Sequence, residues 1–358
     1  MIDTLINSVK QLNTAAMNKA KERQAQLAKP PGSLGVLEDI SVQLAGITGK
    51  VHNSINTKHL LVFASDNGVT EEGVSSAPRS VTLKQAVNLT RAKTGAAVLA
   101  KHFGCGITVC DVGIDGDVSG TDIVDRKIAY GTNNIAKGPA MTREDAVKAI
   151  SIGALLAKET KADILGIGEM GIGNTTTASA VLSVLAECEA DAVTGRGGGI
   201  TDEAFDRKKD IIKKAIEVNS PDKSDVIDVL SKVGGFDIAA MCGAFIGGAV
   251  SGRPIVVDGF ISAVAALCAV KICPEVAGYL IPSHDSMEKG YRIAMDMLGI
   301  KPMLNLGMRL GEGSGCPLAF NLVEAACALI NDMATFDEAN IDDNYLEKIR
   351  QSENIWEN

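Results

Sequence analysis

The spacing of hydrophobic positions changes along the chain. Between residues 3 and 27, Leu5, Ile6, Val9, Leu12, Ala16 and Ala20 recur at helical intervals with polar residues between them. Pro30, Pro31 and Gly32 stop that pattern. Leu37, Ile40, Leu44 and Ile47 then predict a second helix behind Ser33, a candidate N-cap. From His59 the period shortens: residues 59–64 (H-L-L-V-F-A) are continuously apolar, the mark of a strand buried on both faces. A polar, glycine-bearing loop follows, and helical spacing returns over 81–103. The same rhythm recurs at 106–110, 163–168 and 254–257, and more weakly at 277–281 and 302–306. Strand, loop and helix in this alternation predict an α/β fold, a parallel sheet wrapped by helices. After Phe336 the sequence turns acidic and polar, with a last helix expected around 345–355 that packs Leu346, Ile349 and Ile355 beside the N-terminal helices. The expected organisation is therefore 1–50 as N-terminal helices, 51–333 as the α/β domain and 334–358 as a C-terminal helix, the two ends forming a small helical subdomain.

Composition narrows the function. With 358 residues the chain is long enough for a large core. Aromatics make up 4% and the formal net charge is −9, which argues against base stacking and against a phosphate-backbone partner, so no nucleic acid is expected. No apolar run reaches a bilayer-spanning length, and the N-terminus lacks the features of a secretory signal. A cytoplasmic protein without membrane contact is expected. The cysteines, Cys105, Cys110, Cys188, Cys242, Cys268, Cys273, Cys316 and Cys327, lie mostly in apolar runs without a C-x-x-C pair, which suits reduced, buried thiols. No ligand cluster suggests a metal, and no cofactor is expected.

Polar groups fall in a telling register. Asp66, Asp111, Glu169, Asp258, His284 and Glu312 each lie at the end of a predicted strand, where the loops of an open α/β sheet meet in one crevice. Glu312 is set among Gly307, Gly311, Gly313 and Gly315 before the apolar helical pattern 316–333, in a loop where backbone can approach a ligand closely. G-I-G-N-T-T-T at 171–177 and T-G-R-G-G-G-I-T at 194–201 each place glycine amides ahead of a helix, an arrangement that binds anions. Neither has the G-K-[ST] ending of a Walker loop. Together they describe a site for a phosphorylated small molecule. The residues alone leave open a non-catalytic nucleotide-binding α/β protein. A nicotinamide-dependent dehydrogenase is disfavoured, because no G-x-G-x-x-G follows the first strand.

One resemblance covers most of the chain. K-P-P-G-S-L-G, S-D-N-G-V with its E-E-G-V-S, G-E-M-G-I-G-N-T-T, G-R-G-G-G, G-G-F-D-I-A-A-M, V-D-G-F-I and L-G-E-G-S-G occur in this order between Lys29 and Gly315. The sequence from about Lys29 to Met333 resembles the nicotinate-nucleotide:dimethylbenzimidazole phosphoribosyltransferases of cobalamin assembly. The resemblance implies a Rossmann-like domain, a small helical domain built from both chain ends, and a homodimer, for which the apolar run 238–250 is a candidate contact. It implies transfer of phosphoribosyl from nicotinate mononucleotide to a benzimidazole-type base, with Glu312 as general base and Glu169 as a second acidic group. A benzimidazole must lose a ring-nitrogen proton as it attacks C1′, which is work for a positioned carboxylate. The 5′-phosphate is then expected on the amides of Gly171, Gly173, Gly197, Gly198 and Gly199, with Asn174 and Thr175 as partners. Gly313, Ser314 and Gly315 are expected to close over it. Ser76 and Gln85 are the polar candidates for the base pocket, and Met170 and Leu310 the apolar ones.

Overall fold

The computed structural model describes residues 2–346 and 349. The helix expected around 345–355 lies outside the described residues apart from a short turn, Asn344–Leu346. The chain divides into two compact units, Met1–Lys10 with Asn56–Phe320, and Gln11–Ile55 with Asn321–Asn358.

The larger unit holds a six-stranded sheet: β1 Lys58–Ser65, β2 Gly106–Gly113, β3 Val124–Asp125, β4 Ile164–Met170, β5 Ile255–Val257 and β6 Leu280–Pro282. Its order is β3-β2-β1-β4-β5-β6, every neighbouring pair is parallel, and helices flank it. This is the Rossmann order, whose direction of winding reverses between β1 and β4 and opens a crevice at their carboxyl ends. Every residue of β4 is buried, as expected for a central parallel strand covered on both faces. The strand carries Gly166 and Gly168 because other segments lie directly on it. A Cβ on Gly166 would sit 2.6 Å from Cβ of Cys316, and one on Gly168 would sit 2.7 Å from the Glu312 carbonyl oxygen.

Helices Arg143–Glu159 and Phe236–Val250 pack backbone to backbone through glycines. A Cβ on Gly153 would overlap the Ala240 carbonyl oxygen, and one on Gly243 the Ile150 carbonyl oxygen. The apolar run 238–250 is thus core rather than a subunit contact: Ile238 to Ala249 are buried by their own chain. The cysteines are free thiols, and all but Cys188 are buried.

In the smaller unit, helices Thr14–Gln26 and Val36–Thr48 pack Ala16, Ala20, Val42 and Ala45 with Ile330. The Arg23 guanidinium donates to the carbonyls of Ile330 and Met333, at 3.4 and 3.2 Å. Lys29 and Glu38, both largely buried, pair at 2.7 Å, and the same Glu38 oxygen accepts the Leu34 N–H at 3.0 Å. The K-P-P-G-S-L-G turn is held by that pair.

Several expected elements differ. The pattern over 3–27 is two helices, Ile2–Ile6 and Thr14–Gln26, because the Asn13 side chain accepts the Ala16 N–H at 2.9 Å and starts a new helix. The 81–103 pattern also breaks in two, Val81–Thr90 and Gly95–His102, with Thr94 capping the second. Gly35, not Ser33, occupies the N-cap of the helix at 36. The 277–281 segment is a 3-10 turn running into β6, and 302–306 forms no strand beyond a single bridge between His284 and Leu304. No helix among the described residues is long and apolar enough to cross a membrane.

Candidate active site

A cavity of about 280 Å³ opens in the larger unit at the carboxyl ends of β4, β5 and β6. Its walls come from 74–85, 169–175, 196–200, 258–262, 284–288 and 309–312. Of the expected residues, Ser76, Gln85, Glu169, Met170, Gly171, Gly173, Asn174, Thr175, Gly197, Gly198, Leu310 and Glu312 line it. Asp258 and His284 from the strand-end series also face it. Asp66 and Asp111 do not: Asp66 accepts the Asp115 N–H at 2.8 Å, and Asp111 accepts the Gly113 and Ile114 N–H groups and pairs with Lys127 at 2.6 Å. Both carboxylates hold the turn that follows β2.

The Glu312 loop is an unusual piece of backbone. Gly311, Glu312 and Gly313 all have positive φ, at +82°, +62° and +82°. For a non-glycine residue this region costs roughly 1–2 kcal/mol, so surrounding contacts must hold Glu312 there. They are at hand: the Glu312 N–H donates to Glu169 Oε1 at 3.2 Å, and Gly313 and Gly315 donate to Asp258 Oδ2 and Oδ1 at 3.1 and 2.6 Å. The glycine at 168 lets this loop lie flat on β4. Glu312 Oε2 in turn accepts the Ala96 N–H, at the start of helix Gly95–His102, at 3.2 Å. Gly199, Gly313, Ser314 and Gly315 are not among the cavity walls. The 313 and 315 amides serve Asp258, which leaves them turned away from any ligand in the cavity.

Two more buried carboxylates sit beside Glu169. Asn174 Nδ2 donates to Glu169 Oε2 and, at 2.9 Å, to Asp237 Oδ2. Burial pushes the Glu169 carboxyl up to about 8, with the neighbouring Asp237 adding to the effect and the Asn174 hydrogen bond opposing it. Burial likewise takes Asp237 to about 6 and raises Asp258, opposed there by His284 and the loop amides. Like charges this close in a dry site disfavour full ionisation, and Glu169 is the member most strongly pushed toward keeping a proton. The Asn174 side chain, expected on the phosphate, is committed to this cluster.

A buried cation beside the glycine segments escaped the motif reading. Lys208 is 1% exposed and donates from Nζ to Thr175 Oγ1 at 2.8 Å and to the Gly195 carbonyl at 3.1 Å. Burial lowers it to about 8, with Glu288 opposing the shift. It lies behind both glycine segments, Gly171–Thr175 and Gly195–Gly198, and joins them. A signal for it exists in the sequence, since Lys208, Ile211, Ile212 and Ala215 form an i, i+3, i+4, i+7 stripe, the buried side of helix Asp202–Asn219. Asp237, Ser286, Glu288 and Arg309 were also missed. Asp237 could have been found as the lone carboxylate in the apolar run F-D-I-A-A-M.

A phosphoribosyltransferase family model matches residues 9–341. A nicotinate-nucleotide–dimethylbenzimidazole phosphoribosyltransferase from Clostridium perfringens is 49% identical over 356 residues, covering 99% of both chains. One of the same description from Clostridium tetani is 50% identical over 355 residues, covering 98% of each. The chain belongs to this phosphoribosyltransferase family. The crystal structure of a Thermus thermophilus nicotinate-nucleotide–dimethylbenzimidazole phosphoribosyltransferase superposes with a TM-score of 0.88 at 36% identity, covering 92% of this chain and 99% of that one. In the cavity, Gly171–Thr175, Arg196, Gly197 and Gly198 line it together with Val74, Ser76, Gln85, Met170, Leu310, Glu169 and Glu312, and Lys208 lies behind the glycine segments, bonded to Thr175 and Gly195.

Proposed function

We propose that this chain transfers the phosphoribosyl group of nicotinate mononucleotide to 5,6-dimethylbenzimidazole, giving α-ribazole 5′-phosphate and nicotinate with inversion at C1′. The observation that supports the reading is that Glu312 lines the same cavity as the glycine segments Gly171–Thr175 and Gly197–Gly198 and the apolar side chains Val74, Met170 and Leu310. The 5′-phosphate sits on the amides opening helix Asn174–Leu185 and on Gly197 and Gly198, where helix-start N–H groups favour an anion, and Lys208 supplies the charge. The benzimidazole lies along Val74–Gln85 with Met170 and Leu310 at its faces. One ring nitrogen attacks C1′ from the side opposite nicotinate. The C1′–nitrogen bond to nicotinate breaks with its electron pair returning to the pyridine ring, which therefore needs no acid to leave. The proton of the other benzimidazole nitrogen goes to Glu312. Glu169, whose carboxyl is raised by burial, accepts the Asn174 and Glu312 N–H groups and holds the Glu312 loop rather than serving as the base.

Two further parts of the proposal are a homodimer, which the sequence resemblance implies, and a cytoplasmic location, which the sequence reading implies. The separate compact unit formed by 11–55 with the C-terminal segment supports a helical subdomain assembled from both ends. The function is tested by incubating the protein with the two substrates and following products by chromatography and proton NMR. Stoichiometric nicotinate and an α-configured ribazole phosphate are expected. Binding of the mononucleotide without nicotinate release would leave only a nucleotide-binding protein.

A further inference from the structure

Three backbone N–H groups around Glu312 end on two buried carboxylates, and two of the three end on one residue. Asp258 follows β5 directly and is 2% exposed. Its Oδ2 accepts the Gly313 N–H at 3.1 Å and its Oδ1 the Gly315 N–H at 2.6 Å, so both oxygens grip the loop immediately after Glu312. Asp258 is itself fixed: its N–H donates to Ser262 Oγ at 3.2 Å, Ser262 Oγ donates to the Ile167 carbonyl at 3.0 Å, and Ser283 Oγ donates to the Asp258 carbonyl at 3.1 Å. His284 Nδ1 stands 3.8 Å from Oδ1 and completes the enclosure. The gripped segment contains the positive φ of Glu312, a conformation its own residue type disfavours. A buried carboxylate is a costly way to hold two amides. A neutral acceptor would leave one of the two donors unmatched, or face it with an N–H.

We propose that Asp258 is a positioning residue for the transfer reaction, acting through Glu312 by fixing the backbone from which that carboxylate reaches the azole proton. The inference rests on the reading of Glu312 as the base. Asp258→Asn keeps the size of the side chain but turns one acceptor into an N–H₂ group facing an amide donor, so the loop must rotate. A displacement of about 1 Å in a catalytic group is worth on the order of 10²-fold in rate. On the proposed reading the mononucleotide's phosphate rests on the glycine segments and both Asp258 oxygens are taken by the Gly313 and Gly315 amides, so its KM should stay within about twofold while kcat falls on that order.

The decisive experiment is a double-mutant cycle in kcat with Glu312→Gln, because residues that act through one another do not add. Asp258→Asn in the Glu312→Gln background is expected to lose no more than a further twofold. Single losses that multiply in the double variant would overturn the proposal, as would an Asp258→Asn protein with wild-type kcat. If Glu312→Gln alone retains the wild-type rate, the base assignment and this inference fall together; if it loses rate while Asp258→Asn does not, only this inference falls. Should Asp258→Asn not fold, Ser262→Ala removes only the hydroxyl that receives the Asp258 N–H. The same cycle on that variant decides: a kcat loss that vanishes in the Glu312→Gln background supports the proposal, and no loss or a multiplying loss overturns it.

Discussion

Lys208→Met separates binding from stability at one position. The substitution keeps the stem in its slot on the buried face of helix Asp202–Asn219 and removes the ammonium that joins Thr175 to Gly195. Burial lowers the Lys208 pKa from 10.5 to about 8, and at about 1.36 kcal/mol per pKa unit the charged form is disfavoured inside by roughly 3 kcal/mol. Deleting the charge returns that amount to the ligand-free protein. Leaving the Thr175 hydroxyl and the Gly195 carbonyl unpartnered costs about 1–3 kcal/mol each when buried, toward the low end here because both are only half-buried. The two nearly cancel, so the thermal midpoint of the free protein should hardly move. Binding is different on the proposed reading, in which the phosphate rests on the glycine segments in front of Lys208: a charge-assisted interaction there is worth about 1.5–3 kcal/mol, or about 10- to 150-fold in affinity at about 1.4 kcal/mol per decade. Calorimetric titration with nicotinate mononucleotide should show that loss. The sign of the pH effect follows from the lowered value: above about pH 8 the wild-type amine is neutral, so wild-type affinity falls there and the variant lacks that fall. A Kd within twofold of wild type, or a variant that keeps the same alkaline loss, would refute the reasoning.

Other outcomes follow from the same structure. Glu169 has its folded-state pKa raised to about 8 against an ordinary 4.5, so between those values the folded protein holds a proton that the unfolded chain has lost. Stability therefore falls as pH rises through that window; Glu169→Gln should flatten the fall and raise the thermal midpoint at pH 9, and an unchanged pH dependence would count against a shared proton. Gly243→Ala drives a Cβ into the Ile150 carbonyl oxygen and should cost about 1–3 kcal/mol by urea unfolding; a neutral result would mean that helices Arg143–Glu159 and Phe236–Val250 can separate freely.

Much of the sheet is legible in the sequence for a simple reason. β1, β2 and β4 are covered on both faces, so residues such as Leu60, Val62, Val109 and Ile167 produce apolar runs without alternation. The helix start after G-I-G is legible because glycine takes the left-handed backbone there: Gly173 sits at the N-cap of helix Asn174–Leu185 with φ of +92°. Segment 302–306 misled because an apolar run also suits a stretch that only bridges at Leu304. The break inside 81–103 was hidden by helical spacing on both sides of it, although Thr94 marks it by capping the second helix. What composition could not show was partnership. The 313 and 315 amides read as free for a ligand until Asp258, distant in sequence, takes both. Lys208 belongs to no motif, and only its place on the inward stripe with Ile211, Ile212 and Ala215 marks it.

The central claim is that Glu312 takes the azole proton, and Glu312→Gln tests it directly. The amide keeps the loop's volume and can still accept the Ala96 N–H, so basicity is the main property lost. General-base catalysis is typically worth about 10²–10⁴-fold, roughly 3–5 kcal/mol of barrier at about 1.36 per decade. Nicotinate release from the mononucleotide at saturating dimethylbenzimidazole should slow by that factor, with mononucleotide affinity unchanged on the proposed reading, in which the phosphate rests on the glycine segments rather than on Glu312. A Glu312→Gln protein that releases nicotinate at a near wild-type rate would contradict the account, and if Glu169→Gln lost the rate instead, the base would be Glu169.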